Sequence, residues 1–142
     1  MVIGSLALAA AGALVGAAAY VNTVEQPARL ALDDEALAKE WEPSDHRGFV
    51  VLAALALISA VFGFIAYREL DDVRWILGAL VVLATWPYAY VAIVPLNNRI
   101  LALIDGEDVR DAREVIKLWG RLEIGQAAIG LAAVGAYIWA GA

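Results

Sequence analysis

The stretch Gly48–Tyr67, GFVVLAALALISAVFGFIAY, decides the fold. It runs twenty residues without an Asp, Glu, Lys or Arg. At 1.5 Å rise per residue a helix of that length spans about 30 Å, the thickness of a bilayer's hydrocarbon core. A backbone placed in lipid must satisfy its own hydrogen bonds, so the stretch reads as a transmembrane helix. Three further charge-free stretches, Met1–Val24, Trp75–Asn98 and Ile124–Ala142, meet the same test. The chain is therefore expected to be all-α: an integral membrane four-helix bundle, one domain over residues 1–142, with a long amphipathic extension of the last helix. Composition agrees. The chain is 63% hydrophobic, with a mean hydropathy of +0.72, and a small soluble domain could not bury that much apolar surface.

The connections differ in kind. Arg68–Arg74 is a tight hairpin, whereas Glu25–Arg47 and Arg99–Glu123 are long and charged. Asp33-Asp34-Glu35 opens a run of helix formers with acidic residues where the helix dipole favours them. Ser44, after Pro43, is the expected N-cap of the second membrane helix. Val109, Ala112, Ile116, Trp119 and Leu122 recur at three- and four-residue spacing, so the fourth helix is expected to begin near Glu107, after an Asp105-Gly106 turn, and to continue into the membrane. Gly12-x-x-x-Gly16 is a small-residue motif suited to helix contact. The two long segments hold eight Lys and Arg against two on the opposite side. By the positive-inside rule the long loops face the cytoplasm and both termini lie outside, in the cell's inner (cytoplasmic) membrane. Met1–Val24 carries no Lys or Arg, so the basic start of a cleavable signal is missing and the segment is expected to remain in the mature protein.

The residue inventory excludes much chemistry. With no Cys, the chain has no disulfide, no thiolate nucleophile and no Cys-held iron–sulfur cluster or haem. With His46 the single histidine and Met1 the single methionine, bis-His haem, His/Met haem, facial-triad iron and paired Glu-x-x-His di-iron sites all lack ligands. No metal and no cofactor are expected. A net charge of −6 offers no basic patch for nucleic acid.

Polar and aromatic residues gather at the end carrying the long segments. Trp86, Tyr90, Ile93 and Asn97 share one face of the third helix by their spacing, with Pro87 and Pro95 on the same helix. Trp119, Glu123 and Gln126 share a face of the fourth, and Asn22, Gln26 and Arg29 a face at the end of the first, provided that helix continues as far as Pro27. This convergence points to a cavity at one membrane surface. Each residue also has a plainer reading. Trp and Tyr anchor at interfaces, Arg snorkels to headgroups, and Asn97 beside Pro95 caps a bent helix. Glu25 and Arg29 form an ordinary i,i+4 pair, and His46 between Asp45 and Arg47 is solvated.

Several short motifs resemble the anthrone oxygenase family of small four-helix membrane proteins. They are Tyr20-Val-Asn-Thr23 with Pro27 and Arg29, then Trp41-Glu-Pro-Ser44, Val94-Pro-Leu-Asn-Asn98 and Trp119-Gly-Arg121. The resemblance implies cofactor-free oxidation of an anthrone to an anthraquinone by molecular oxygen. It also marks a departure: the family places His four residues after the Trp and Arg three further on, where this chain has Glu123 and Gln126.

Two functions follow. In the first, the protein binds or oxidises a flat, apolar phenolic or quinone-like molecule without a metal. Glu123 or His46 would take a proton, Asn97 and Arg29 would stabilise the oxyanion, and Trp119, Trp86, Tyr90 and Gln126 would line the ligand site. In the second, it is a non-catalytic membrane subunit or scaffold that docks a protein partner or a second copy. An ion-coupled transporter fits less well, because the four spans hold no ionisable residue.

Overall fold

The computed structural model describes residues 1–142. Four helices, α1 (Val2–Leu30), α2 (Asp34–Leu70), α3 (Arg74–Asp105) and α4 (Val109–Gly141), are each long and apolar enough to cross a membrane. Only short turns over 31–33, 71–73 and 106–108 join them. α1 and α3 each pack against α2 and α4 and lie diagonally across the bundle from one another. Large apolar side chains such as Val50, Leu57, Val61, Leu80, Leu131 and Ile138 stay exposed on the outer surface. In water that surface would be untenable; in lipid it needs no cover. The protein is an all-α membrane bundle.

Small residues fill the middle. Ala56, Ala60, Ala79 and Ala133 surround Leu14 and Val82 with essentially no exposure, which lets the helix backbones approach closely. The glycines of α4 serve the same end: Gly120 seats the Gln26 side chain, Gly125 the Tyr88 phenol and Gly130 the side chain of Leu14. Gly12 and Gly16 do not. A Cβ at either would meet nothing within 4 Å, so this motif makes no helix contact within the chain and faces outward.

The expected long loops are largely helix. α1 continues through Pro27, and α2 begins at Asp34, with Pro43 inside it. Ser44 is therefore not the N-cap. That role belongs to Asp33, whose carboxylate accepts from the Ala36 N–H at 2.8 Å, while Asp108 caps α4 by accepting from Asp111 N–H. Helices of 29 to 37 residues exceed the roughly 20 that a bilayer core needs. The charged segments are thus continuations of the spans.

Two of the prolines are accommodated by wide turns. The Gln26 N–H reaches back five residues to the Val21 carbonyl, and the Val94 N–H to the Ala89 carbonyl, just ahead of Pro27 and Pro95. Each such π turn inserts a residue into the helical count. Faces read by 3.6-residue spacing then fall out of register across it.

Candidate functional site

Arg29 stands at the polar end of α1 with 2% of its surface exposed. Its Nε donates to Glu40 Oε2 at 2.8 Å, Nη2 to Ser44 Oγ at 2.8 Å, and Nη1 to Gln26 Oε1 at 3.1 Å. Glu25, one turn earlier, adds a contact at 3.5 Å. The guanidinium also lies over the Trp119 indole, 5.3 Å from its centroid. Trp119 in turn meets Trp41 edge to face at 5.9 Å. Gln26 closes the frame by donating to the Ile116 carbonyl at 3.1 Å, which ties α1 to α4. Arg29 is therefore a pin between helices, with its donors largely committed to protein partners.

One turn along α4 from Trp119 lies Glu123, 5% exposed. Its Oε2 accepts from Gln126 Nε2 at 3.0 Å. Glu123, Trp119 and Arg29 line one small niche of about 20 Å³, together with Asp45 and Ser44 of α2 and the apolar side chains of Val21, Phe49 and Leu52. Among these groups the indole N–H of the buried Trp119 is directed toward the Asp45 carboxylate without reaching full hydrogen-bond geometry. No three His, Cys, Asp or Glu side chains come close enough together to hold a metal ion.

A second, larger space adjoins it. Between α2 and α3 runs an apolar groove of about 480 Å³, lined by Phe49, Ala53, Trp86, Tyr90 and Val94 and floored by Gln126. Trp86 and Tyr90 are well exposed on the outer surface of the bundle, so the groove opens sideways. Trp86 is held there by its indole N–H, which donates to the Ala53 carbonyl at 3.2 Å. The α3 hydrogen-bond ladder is irregular beside this groove. The Ala84 N–H is shared between the carbonyls of Leu80 and Val81, and Pro87 offers no N–H to the ladder. Phe49 lines both groove and niche, and Gln126 joins them through its bond to Glu123.

The structure thus sorts the residues singled out by sequence. Arg29, Trp119 and Glu123 come together in the niche. Trp86, Tyr90 and Gln126 come together in the groove. Asn97 lines neither of these spaces; it lies beyond the π turn over Ala89–Ile93, which breaks the face it was expected to share with Trp86 and Tyr90, and its buried Oδ1 is unpaired. His46 is exposed on α2, away from both spaces. Its neighbour Asp45 faces the niche instead. Spacing carries that placement, since Trp41, Asp45, Gly48 and Leu52 recur every three to four residues.

A sequence model described as anthrone oxygenase matches residues 41–136. The anthrone oxygenase of Claviceps purpurea (strain 20.1) is 31% identical over 104 residues, which cover 69% of this chain and 60% of that protein. No solved structure matches the chain. The family match takes in Asp45, Asn97, Trp119, Glu123 and Gln126, while Arg29 precedes it.

Proposed function

Since the chain belongs to the anthrone oxygenase family, we propose that it oxidises a flat, apolar, anthrone-like phenol with molecular oxygen, with the substrate entering the lateral groove from the lipid. The observation that carries this reading is the junction of two environments. An aromatic groove of about 480 Å³ ends on Gln126, and one hydrogen bond behind Gln126 stands the buried carboxyl of Glu123. Trp86 and Phe49 offer ring faces to a planar ligand. With its Nε2 engaged by Glu123, Gln126 presents its carbonyl oxygen as the acceptor for a phenolic hydroxyl.

The overall change converts a ring methylene to a carbonyl. Two hydrogens leave the carbon, one oxygen atom of O₂ stays on it, and the other departs as water. The protein's share is to position the ring and take a proton from the methylene, which leaves an electron-rich anion for oxygen to attack. Glu123 is assigned as the proton acceptor, one hydrogen bond behind Gln126. Arg29 supplies positive charge behind the niche, while His46 and Asn97 have no assigned part. No metal is invoked.

Oxygen consumption with an anthrone in lipid nanodiscs tests the assignment. Glu123→Gln preserves shape and removes the base, so turnover should fall by about 10²-fold, a usual share for a positioned base. An unchanged rate would reject Glu123, and turnover abolished by a chelator would reject the metal-free chemistry. If the folded wild type neither binds nor oxidises such phenols, the enzyme reading falls.

The polar end is assigned to the cytoplasm, by the eight Lys and Arg there against two opposite. A C-terminal reporter active only in the cytoplasm should then stay dark; bright signal reverses the orientation.

A further inference from the structure

The chain carries a net charge of −6, and the openings at its polar end mostly share that sign. The niche is lined by Glu25, Asp45 and Glu123, and an open crevice between α1 and α2 by Glu25 and Glu40. On the other flank of α1 the composition reverses. A crevice of about 310 Å³ between α1 and α4 is lined by Asn22 and Gln26 of α1 and by Lys117 and Arg121 of α4, with no carboxyl among its lining residues.

The donors of this crevice are not consumed within the chain. Arg121 is exposed and enters no ion pair. Lys117 meets only Glu114, at 3.1 Å, in a pair open to solvent, and such pairs contribute little. Asn22 donates to the Ala18 carbonyl and the buried Gln26 to the Ile116 carbonyl, so each amide nitrogen keeps a second N–H. Two positive charges, two amides and no competing carboxylate suit a phosphate.

The surface below the crevice says what the phosphate is attached to. Lys117, Arg121, Ile124, Ala128 and Leu131 recur at three- and four-residue spacing and are all exposed. One outer face of α4 therefore passes from cationic to apolar as the helix enters the lipid. A free phosphate has no use for the apolar part of that face, whereas a phospholipid covers both parts. Snorkelling alone would engage only the cations of α4. It gives no part to the amides that α1 sets opposite them.

We propose that the α1–α4 crevice binds the phosphodiester of one anionic phospholipid, held by Arg121, Lys117 and the amides of Asn22 and Gln26, with an acyl chain along Ile124, Ala128 and Leu131. Basic pockets between membrane helices recognise anionic headgroups in this way. The site lies apart from the groove and needs no catalytic step. It does touch the pin at this end, because Gln26 also accepts from Arg29.

Native mass spectrometry of the full chain in detergent, titrated with phosphatidylglycerol or phosphatidylcholine, tests the site without recourse to turnover. The wild type should retain one phosphatidylglycerol in preference to phosphatidylcholine. Lys117→Gln combined with Arg121→Gln should cut that retention about tenfold or more, through the loss of two charged contacts. Arg99→Gln combined with Arg110→Gln removes the same charge from exposed positions that do not line the crevice, and retention should hold. Equal losses in the two double variants would mean diffuse attraction to the headgroup and overturn the site, as would equal retention of the two lipids. Displacement of the lipid by inorganic phosphate at equal concentration would assign the crevice to free phosphate and overturn the lipid as its occupant.

Discussion

The two ends of the bundle solve opposite packing problems. At the end bearing the termini and the turn over 71–73, space is closed with rings and glycines. Tyr137 lies against Gly63 and Gly78, where any Cβ would collide with its ring or hydroxyl. Its hydroxyl donates to the Ser59 carbonyl at 3.1 Å, and Ser59 donates to the Ala7 carbonyl at 2.9 Å. Trp75 stacks beside Tyr137 at 5.7 Å. Arg74 seals the surface by bonding the Trp139 carbonyl and Asp72, and its hydrogen bonds hold the Asp72 carboxyl below the usual carboxylate range. At the other end a buried guanidinium gathers carboxyls from two helices and leaves a niche between them. One end is ordered by shape, the other by charge.

That contrast can be broken from either side. The largest effect on stability should come from Arg29→Met, which keeps the volume and removes the charge. Glu25 and Glu40 would lose their partner, and breaking a buried pair costs about 3 kcal/mol or more; the low end applies because both carboxylates are partly exposed. Unfolding in sodium dodecyl sulfate, followed by helical circular dichroism, should report the loss. Stability equal to the wild type would mean that charge does not order this end. A smaller effect is expected from Gly78→Ala, at about 1–3 kcal/mol for overpacking a filled site. The same unfolding assay should detect it, while anthrone turnover per folded molecule stays unchanged. If Gly78→Ala instead lowered turnover, the two ends would be coupled through the length of the helices.

Much of this was legible in the sequence. Charge-free length alone located the spans, because the bilayer imposes a fixed thickness on any helix that crosses it. The spacing of Trp119, Glu123 and Gln126 put them on one face, and no irregularity interrupts α4 to disturb that reading. Continuity was harder. Pro27 and Pro43 read as boundaries because proline usually ends a helix, yet both lie within one. Pro27 follows a π turn, and Pro43 lies in the part of α2 that projects beyond the apolar span. Asn97 was misplaced for a related reason: the register shift at Ala89–Ile93 depends on how the chain absorbs Pro95. Asp45 rather than His46 faces the niche because helical position, not residue type, decides which side chain turns inward.

The sideways opening of the groove past Trp86 and Tyr90 has a kinetic consequence. A molecule that arrives through the membrane is counted per lipid, not per litre. At fixed total substrate, adding more lipid or detergent thins out the molecules that reach α2 and α3, although their concentration in the tube is unchanged. Saturation would then track mole fraction in the bilayer, and two preparations could agree on every molarity and still differ in rate.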